Sequence, residues 1–163
     1  MTRDPAIPTA VANLLARYTE CIDAGDFDGV GALLSRADLG GARTPTMSGA
    51  QNIAGLFAMT TRRFPEAGSA GPGTPRTRHL VLNLIVEIVD AATATARSTF
   101  CVVQATDGVA LAPIVVGRYY DRFARDEDGW YYTERIADVE MLGDVSEHLL
   151  IDHRRFDAAR EQD

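Results

Sequence analysis

The chain has 163 residues, 46% of them hydrophobic, with a mean hydropathy near zero (−0.08). It can bury one core in a single domain spanning 1–163, and it lacks the roughly eighteen consecutive apolar residues of a membrane-spanning helix. A formal charge of −7, a pI near 4.9 and arginines interleaved with acids exclude the clustered cations of a nucleic-acid surface.

In chain order, Val11, Leu14, Leu15, Tyr18 and Ile22 make one stripe of an α-helix, with Thr9 after Pro8 as its candidate cap and Gly25 placed to end it. Asp26 then caps a short second helix whose stripe is Phe27, Val30, Leu33 and Leu34. The irregular RADLGGARTPTM has room for a short edge strand. Ser48 and Gln51 form an S-x-x-Q capping box ahead of Ile53, Leu56 and Phe57, which predicts a third helix. The Gly- and Pro-rich segment from Pro65 to Pro75 reads as a loop, either a rim over a site or slack.

Four long antiparallel strands follow: Thr77 to Val89, TATARSTFCVVQ, PIVVGRYYDRFAR and WYYTERIADVEM, separated by turns at Asp90-Ala91-Ala92 and DEDG. Helices followed by a meander predict an α+β domain with the helices on one face of a curved sheet. Its core covers about Ala10 to Leu142. The tail from Gly143 begins as a short helix and ends highly charged.

Strict alternation in the first long strand places Leu80, Leu82, Leu84, Val86 and Ile88 on one face and His79, Val81, Asn83, Ile85, Glu87 and Val89 on the other. Both faces are largely apolar. Helices cover only one, so the other needs a partner, and a homo-oligomer (dimer or trimer) is expected.

Asp23 falls in the last turn of the first helix, where the negative end of the helix dipole disfavours a carboxylate unless a cation answers it. If the helix brings Asp23 to His79, the carboxylate would hold one ring nitrogen and raise the basicity of the other, giving a general base. Periodicity alone favours a solvated Asp23 and a hydrogen-bonded strand-end His79. His79, His148 and His153 share no metal-binding spacing, GPG at Gly71 to Gly73 precedes a strand and not a helix, and there is no G-x-S-x-G. No cofactor or metal is implied. Cys21 and Cys101 have neither C-x-x-C spacing nor neighbouring histidines and read as buried thiols, and MTRDPAIPTAV lacks the layout of a secretory signal, so a cytoplasmic protein is expected.

The succession LLARYTECIDAGDFDGVGALLS, SGAQNIAGLF, TRHLVLNLIVEI and VGRYYDRFARDEDGWYYTERIADVEM resembles the SnoaL-like branch of the NTF2-like superfamily. That branch is similar to scytalone dehydratase, lindane dehydrochlorinase, ketosteroid isomerase and small polyketide cyclases. The resemblance implies a cone-shaped α+β barrel around a deep, mostly apolar pocket. It also implies a dyad of an aspartate ending the first helix and a histidine opening the long strand, here Asp23 and His79. Asn83 would line the pocket beside His79, with satisfaction of a backbone group as its other role, and Tyr18 and Tyr119 are candidate pocket phenols. Arg135 stands nearest to the pocket arginine of the dehydrochlorinase, with a cross-strand ion pair to a residue such as Asp121 as the other reading. The second histidine of scytalone dehydratase has no match within the strands, because His148 and His153 lie in the tail.

The implied activity is that of a cofactor-free lyase or isomerase on a small hydrophobic, cyclic or polyketide-like molecule. The alternative is a non-catalytic ligand-binding or assembly subunit similar to the small subunits of ring-hydroxylating dioxygenases. An epoxide hydrolase of the limonene epoxide hydrolase type ranks last, because no Asp-Arg-Asp set is evident.

Overall fold

The structure, a computed structural model, describes residues 6–152. Helix α1 (Ala6–Ala24) turns Ile7, Val11, Leu14, Leu15, Tyr18, Ile22 and Asp23 inward. It starts before Thr9, which is therefore an interior residue and not the cap. Pro8 sits in the first turn, where its missing N–H is no loss.

Gly25 (φ 72°) ends α1 in a left-handed turn: its N–H donates to the Ile22 carbonyl (3.1 Å) and the Asp26 N–H to the Cys21 carbonyl (2.9 Å), a Schellman closure. The Asp26 carboxylate then accepts from the Gly29 N–H at 2.9 Å and starts α2 (Phe27–Leu33). The edge strand hidden in the irregular segment is β1 (Asp38–Gly41).

Helix α3 (Ala50–Thr60) forms as expected but without the S-x-x-Q box. Its cap is Gly49, which leaves Ser48 one position too early to serve the first turn. The Asn52 side chain donates instead to the Ser48 carbonyl at 2.9 Å.

The four long strands are β2 (Thr77–Ile88), β3 (Thr93–Gln104), β4 (Ala112–Asp126) and β5 (Gly129–Leu142). They run antiparallel in sequence order, and β1 adds parallel to β5, giving the order β1-β5-β4-β3-β2. The α+β arrangement is the expected one, with β1 and β2 as the outermost strands of an unclosed sheet and not a closed barrel; Met47 bridges to Leu39 on the outer side of β1. Register shifts in the β2–β3, β3–β4 and β4–β5 pairings bend it.

The core lies between α1 to α3 and the inner face of this sheet. Val11, Val30, Leu34 and Ile53 have no exposed surface there. Each such burial contributes about 1.5–3 kcal/mol. Cys21 and Cys101 are free thiols and only half-buried. Among the described residues, no helix is long and apolar enough to cross a membrane.

One bulge corrects the expected faces of β2. The register slips between Leu82 and Ile85, and Asn83 takes φ 53°. Thr77, His79 and Val81 face inward before it, and Leu84, Val86 and Ile88 after it. Leu80, Leu82, Asn83 and Ile85 are exposed. The extra residue switches the apolar set to the core side halfway along the strand.

After β5 the chain folds back. The Gly143 N–H donates to the Ile114 carbonyl (2.8 Å), a single turn follows at Val145 to Leu149 where a short helix was expected, and the segment pairs with the end of α3. The charged end of the tail lies outside the described residues.

Candidate active site

Asp23 reaches β2 because two turns are pressed together. The loop after α3 is pinched where Phe64 pairs with Thr74, and only a glycine fits at position 73 (φ 79°), since a Cβ there would lie 1.8 Å from the Phe64 carbonyl oxygen. That stem returns the chain against Gly25, where an added Cβ would come within 3.0 Å of the Gly73 carbonyl. The first residues of β2 consequently begin beside the last turn of α1.

There Asp23 collects three contacts. Its Oδ1 accepts from the Thr77 hydroxyl at 2.8 Å and lies 2.6 Å from His79 Nδ1, while its Oδ2 accepts from the His79 backbone N–H at 2.8 Å. Thr77 and His79 are two apart on a strand and therefore share its inward face. Burial pushes the Asp23 carboxyl up, but the bond and charge of His79, then its backbone N–H and Thr77, outweigh that and hold it below the usual carboxylate range. An ionised carboxylate only accepts hydrogen bonds, so Nδ1 carries a proton, and whenever the ring is uncharged its lone pair is on Nε2. The carboxylate thus fixes the orientation of the imidazole ring. The side chains of His79 and Asp23 are 8% and 10% exposed.

Next to the dyad lies a chain of aromatic and charged groups. The Tyr18 ring meets the His79 ring edge-on (centroids 6.5 Å apart, 87°) and the Tyr119 ring in the same manner (6.1 Å, 79°). The Arg135 guanidinium lies 3.9 Å from the Tyr18 ring centre and 3.7 Å from that of Tyr119. It donates to the Tyr132 hydroxyl at 2.8 Å and faces Asp121 at 3.6 Å, with both charged side chains fully buried. Burial raises the pKa of Tyr18 and Tyr119, so both remain neutral phenols able to donate. Burial also lifts the Asp121 carboxyl to about 6, with Arg135 opposing. Arg135 Nε and Nη2 and both Asp121 oxygens have no hydrogen-bond partner in the protein.

The structure thus brings Asp23, His79, Tyr18, Tyr119 and Arg135 into one contiguous group. Arg135 stands opposite Asp121 in the β4–β5 register, as the cross-strand reading had it, and also reaches the tyrosines. Asn83 is not part of the group. The bulge turns it to the outer, exposed face, away from His79.

Three contributors escaped the sequence reading. Thr77 follows from His79 by alternation and was legible there. Tyr132 was not, because a second register shift, between Arg122 and Phe123, lets residues 132 and 135 both face inward.

The third is His148, set aside because it lies beyond the matched strands. It is buried (9% exposed), its Nδ1 has no partner, and burial first, then the charge of His79, push it down to about 4, with Asp23 opposing. His153 lies outside the described residues.

A deep pocket was expected at the dyad. Two concavities are seen elsewhere, one of about 470 Å³ beside α3 at Met47, Gln51 and Met59, the other of about 350 Å³ on the sheet at Ile85, Arg97 and Tyr120. Neither is lined by His79 or Asp23, beside which Tyr18 and Val102 are buried to within 5% of full burial. A molecule reaching Nε2 has to displace part of that packing. Among the described residues, no three of His, Cys, Asp and Glu converge where a metal ion could be held.

Residues 7–136 match the family described as a SnoaL-like domain. No curated protein matches the chain. Among solved structures, Rv3472 of Mycobacterium tuberculosis, a protein of unknown function, is 20% identical over 85% of this chain and 79% of its own, with a TM-score of 0.67. A candidate scytalone dehydratase from Novosphingobium aromaticivorans is 17% identical over 85% of this chain and 87% of its own (TM-score 0.65). The beta subunit of a candidate aromatic-ring-hydroxylating dioxygenase from the same organism is 14% identical over 85% and 92% (TM-score 0.63). At these identities the likeness is one of fold.

Proposed function

The chain belongs to the SnoaL-like family, and from that premise we propose that it is a cofactor-free lyase or isomerase acting on a small hydrophobic, cyclic or polyketide-like carbonyl compound. The observation that carries this reading is the 2.6 Å contact between His79 Nδ1 and Asp23 Oδ1, clamped by the Thr77 hydroxyl and the His79 backbone N–H. His79 Nε2 takes a proton from the carbon next to the carbonyl, and Asp23 stabilises the imidazolium that results. The electron pair moves into an enolate. His79 then returns the proton, to another carbon in an isomerisation or to a departing hydroxyl in a dehydration. An apolar surround strengthens these electrostatics because little water competes. Tyr18, a neutral phenol, stands against the ring, and Tyr119 and Arg135 lie behind it.

Proton abstraction can be read without knowing the natural substrate, by the exchange of α-hydrogen for deuterium in 2-tetralone. A positioned base contributes ~10²–10⁴-fold. The wild type should accelerate exchange, and folded His79→Ala or Asp23→Asn should lose most of that acceleration. An unimpaired rate in either variant removes the assignment.

A second reading, an assembly subunit, is favoured by a separate observation: Leu80, Leu82 and Ile85 on the outer face of β2 are 42%, 46% and 46% exposed. In that reading a larger partner chain covers this face, whereas in the enzyme reading a second copy of the chain covers it in a homo-oligomer. Light scattering on the purified chain separates the cases. A dimer or trimer agrees with the enzyme reading, and a chain that stays soluble only with a larger partner agrees with the subunit.

A further inference from the structure

The tail after β5 is tied down on two sides. The Arg62 N–H donates to the His148 carbonyl at 2.8 Å and the Leu150 N–H to the Thr60 carbonyl at 2.9 Å, which fastens it to the end of α3. On the other side the buried Gln104 amide donates to the Pro75 carbonyl at 3.0 Å and to the Glu147 carbonyl at 3.3 Å. Gln104 is the cross-strand partner of Thr77, the residue that bonds Asp23. His148 is therefore delivered to the end of β2 that holds the dyad. The electrostatics agree, because the charges of both His79 and Asp23 act on it.

A buried imidazole whose Nδ1 has no protein partner is costly to keep unless something meets it. A neutral imidazole suits an oxygen that becomes negative during reaction, since it donates a hydrogen bond and does not give the proton away.

We propose that His148 is a substrate-polarising residue, donating an N–H hydrogen bond to the carbonyl oxygen of the substrate while His79 removes the neighbouring C–H proton. The proposal rests on the general-base reading above. As His79 takes the proton, the C–H pair becomes a C=C bond and the carbonyl pair moves onto oxygen. His148 holds that oxyanion and keeps its own proton. When His79 reprotonates carbon, or protonates a hydroxyl that leaves as water, the carbonyl re-forms and the hydrogen bond relaxes. The tail thereby becomes part of the site, although it follows the last strand of the sheet.

The test uses the full chain with ¹⁵N-labelled histidines and two probes of one shape: 2-naphthol, whose oxygen stands for the enolate, and naphthalene, which has none. Saturation with 2-naphthol should move the ring ¹⁵N signals of both His79 and His148, and naphthalene should leave His148 in place. His148→Phe should weaken 2-naphthol binding by about tenfold relative to naphthalene, the loss expected for one hydrogen bond to the naphthol oxygen. His148→Gln, which keeps an N–H donor, should recover part of it. If 2-naphthol moves His79 but neither the His148 signal nor the binding ratio responds, the role of His148 is overturned and the general base stands. If 2-naphthol leaves His79 unmoved, both fail together. The wild-type ¹⁵N signals decide the matter even where His148→Phe fails to fold.

Discussion

Two polar groups lie side by side in this core and are held in opposite ways. Around Asp23, each carboxylate oxygen meets a donor of β2, and the contact with His79 Nδ1 closes to 2.6 Å. Around Arg135, one hydrogen bond to Tyr132 serves a guanidinium with five N–H donors, the ion pair opens to 3.6 Å, and both Asp121 oxygens lack a partner. The first group is satisfied by donors of the neighbouring strand β2 and is thereby oriented. The second is retained by ring faces and by the lone charge opposite. Orientation of the Asp23–His79 pair comes from hydrogen bonds, whereas the arginine is held mainly by the unfavourable state that its removal would leave behind.

The largest effect should come from breaking the second group. Arg135→Met leaves Asp121 buried and unpaired and should cost about 3–5 kcal/mol in urea unfolding at neutral pH. Adding Asp121→Leu should recover most of that loss, because a buried ion pair exchanged for apolar groups is often neutral. Asp23→Asn should cost less, about 1–3 kcal/mol, since an amide oxygen still accepts one of the same donors. If the arginine variant is the milder of the two, the contrast collapses.

A smaller, pH-dependent effect tests His148. Burial, with the His79 charge adding to it, lowers this histidine from 6.5 to about 4. The unfolded chain binds more protons in that window, so the stability linked to neutral His148 is complete above pH 6.5 and is lost as pH falls toward 4. The whole window is worth at most ~3 kcal/mol. Asp121 acts in the opposite sense: its carboxyl is raised from 3.8 to about 6, so its cost grows as pH climbs through that range. Thermal unfolding of wild type against His148→Gln from pH 4 to 7 isolates the histidine. The variant should lose about one proton's worth of slope, and parallel curves would show that His148 titrates normally.

The smallest effect concerns Asn83, at φ 53° on the bulge. Asn83→Gly relieves a left-handed position at an outer-face residue, so stability should rise by under ~1 kcal/mol and 2-tetralone exchange should stay within about twofold of wild type. A marked fall in exchange would return Asn83 to the site.

Much of this was readable beforehand because it is local. The stripe from Val11 to Ile22, Gly25 as stop and Asp26 as cap are chemistry within one or two turns. The four strands stand within a residue or two of their expected bounds, since alternation and turn residues are also short-range. Asn83 was misplaced because one bulge residue reverses every side chain after it. Tyr132 was missed for the same reason, and the S-x-x-Q box failed because a cap one position off serves nothing.

The sequence by itself determined the element order, the α+β class and the presence of an acid at one helix end and a histidine at one strand start. These rest on periodicity and backbone preference, which act between near neighbours. Only the tertiary structure decided that Asp23 and His79 touch, that Arg135 lies between two tyrosine rings, and that the tail carries His148 back to them. Such contacts join residues far apart in the chain, where loop closure, bulges and side-chain packing choose among partners that the local pattern leaves equivalent.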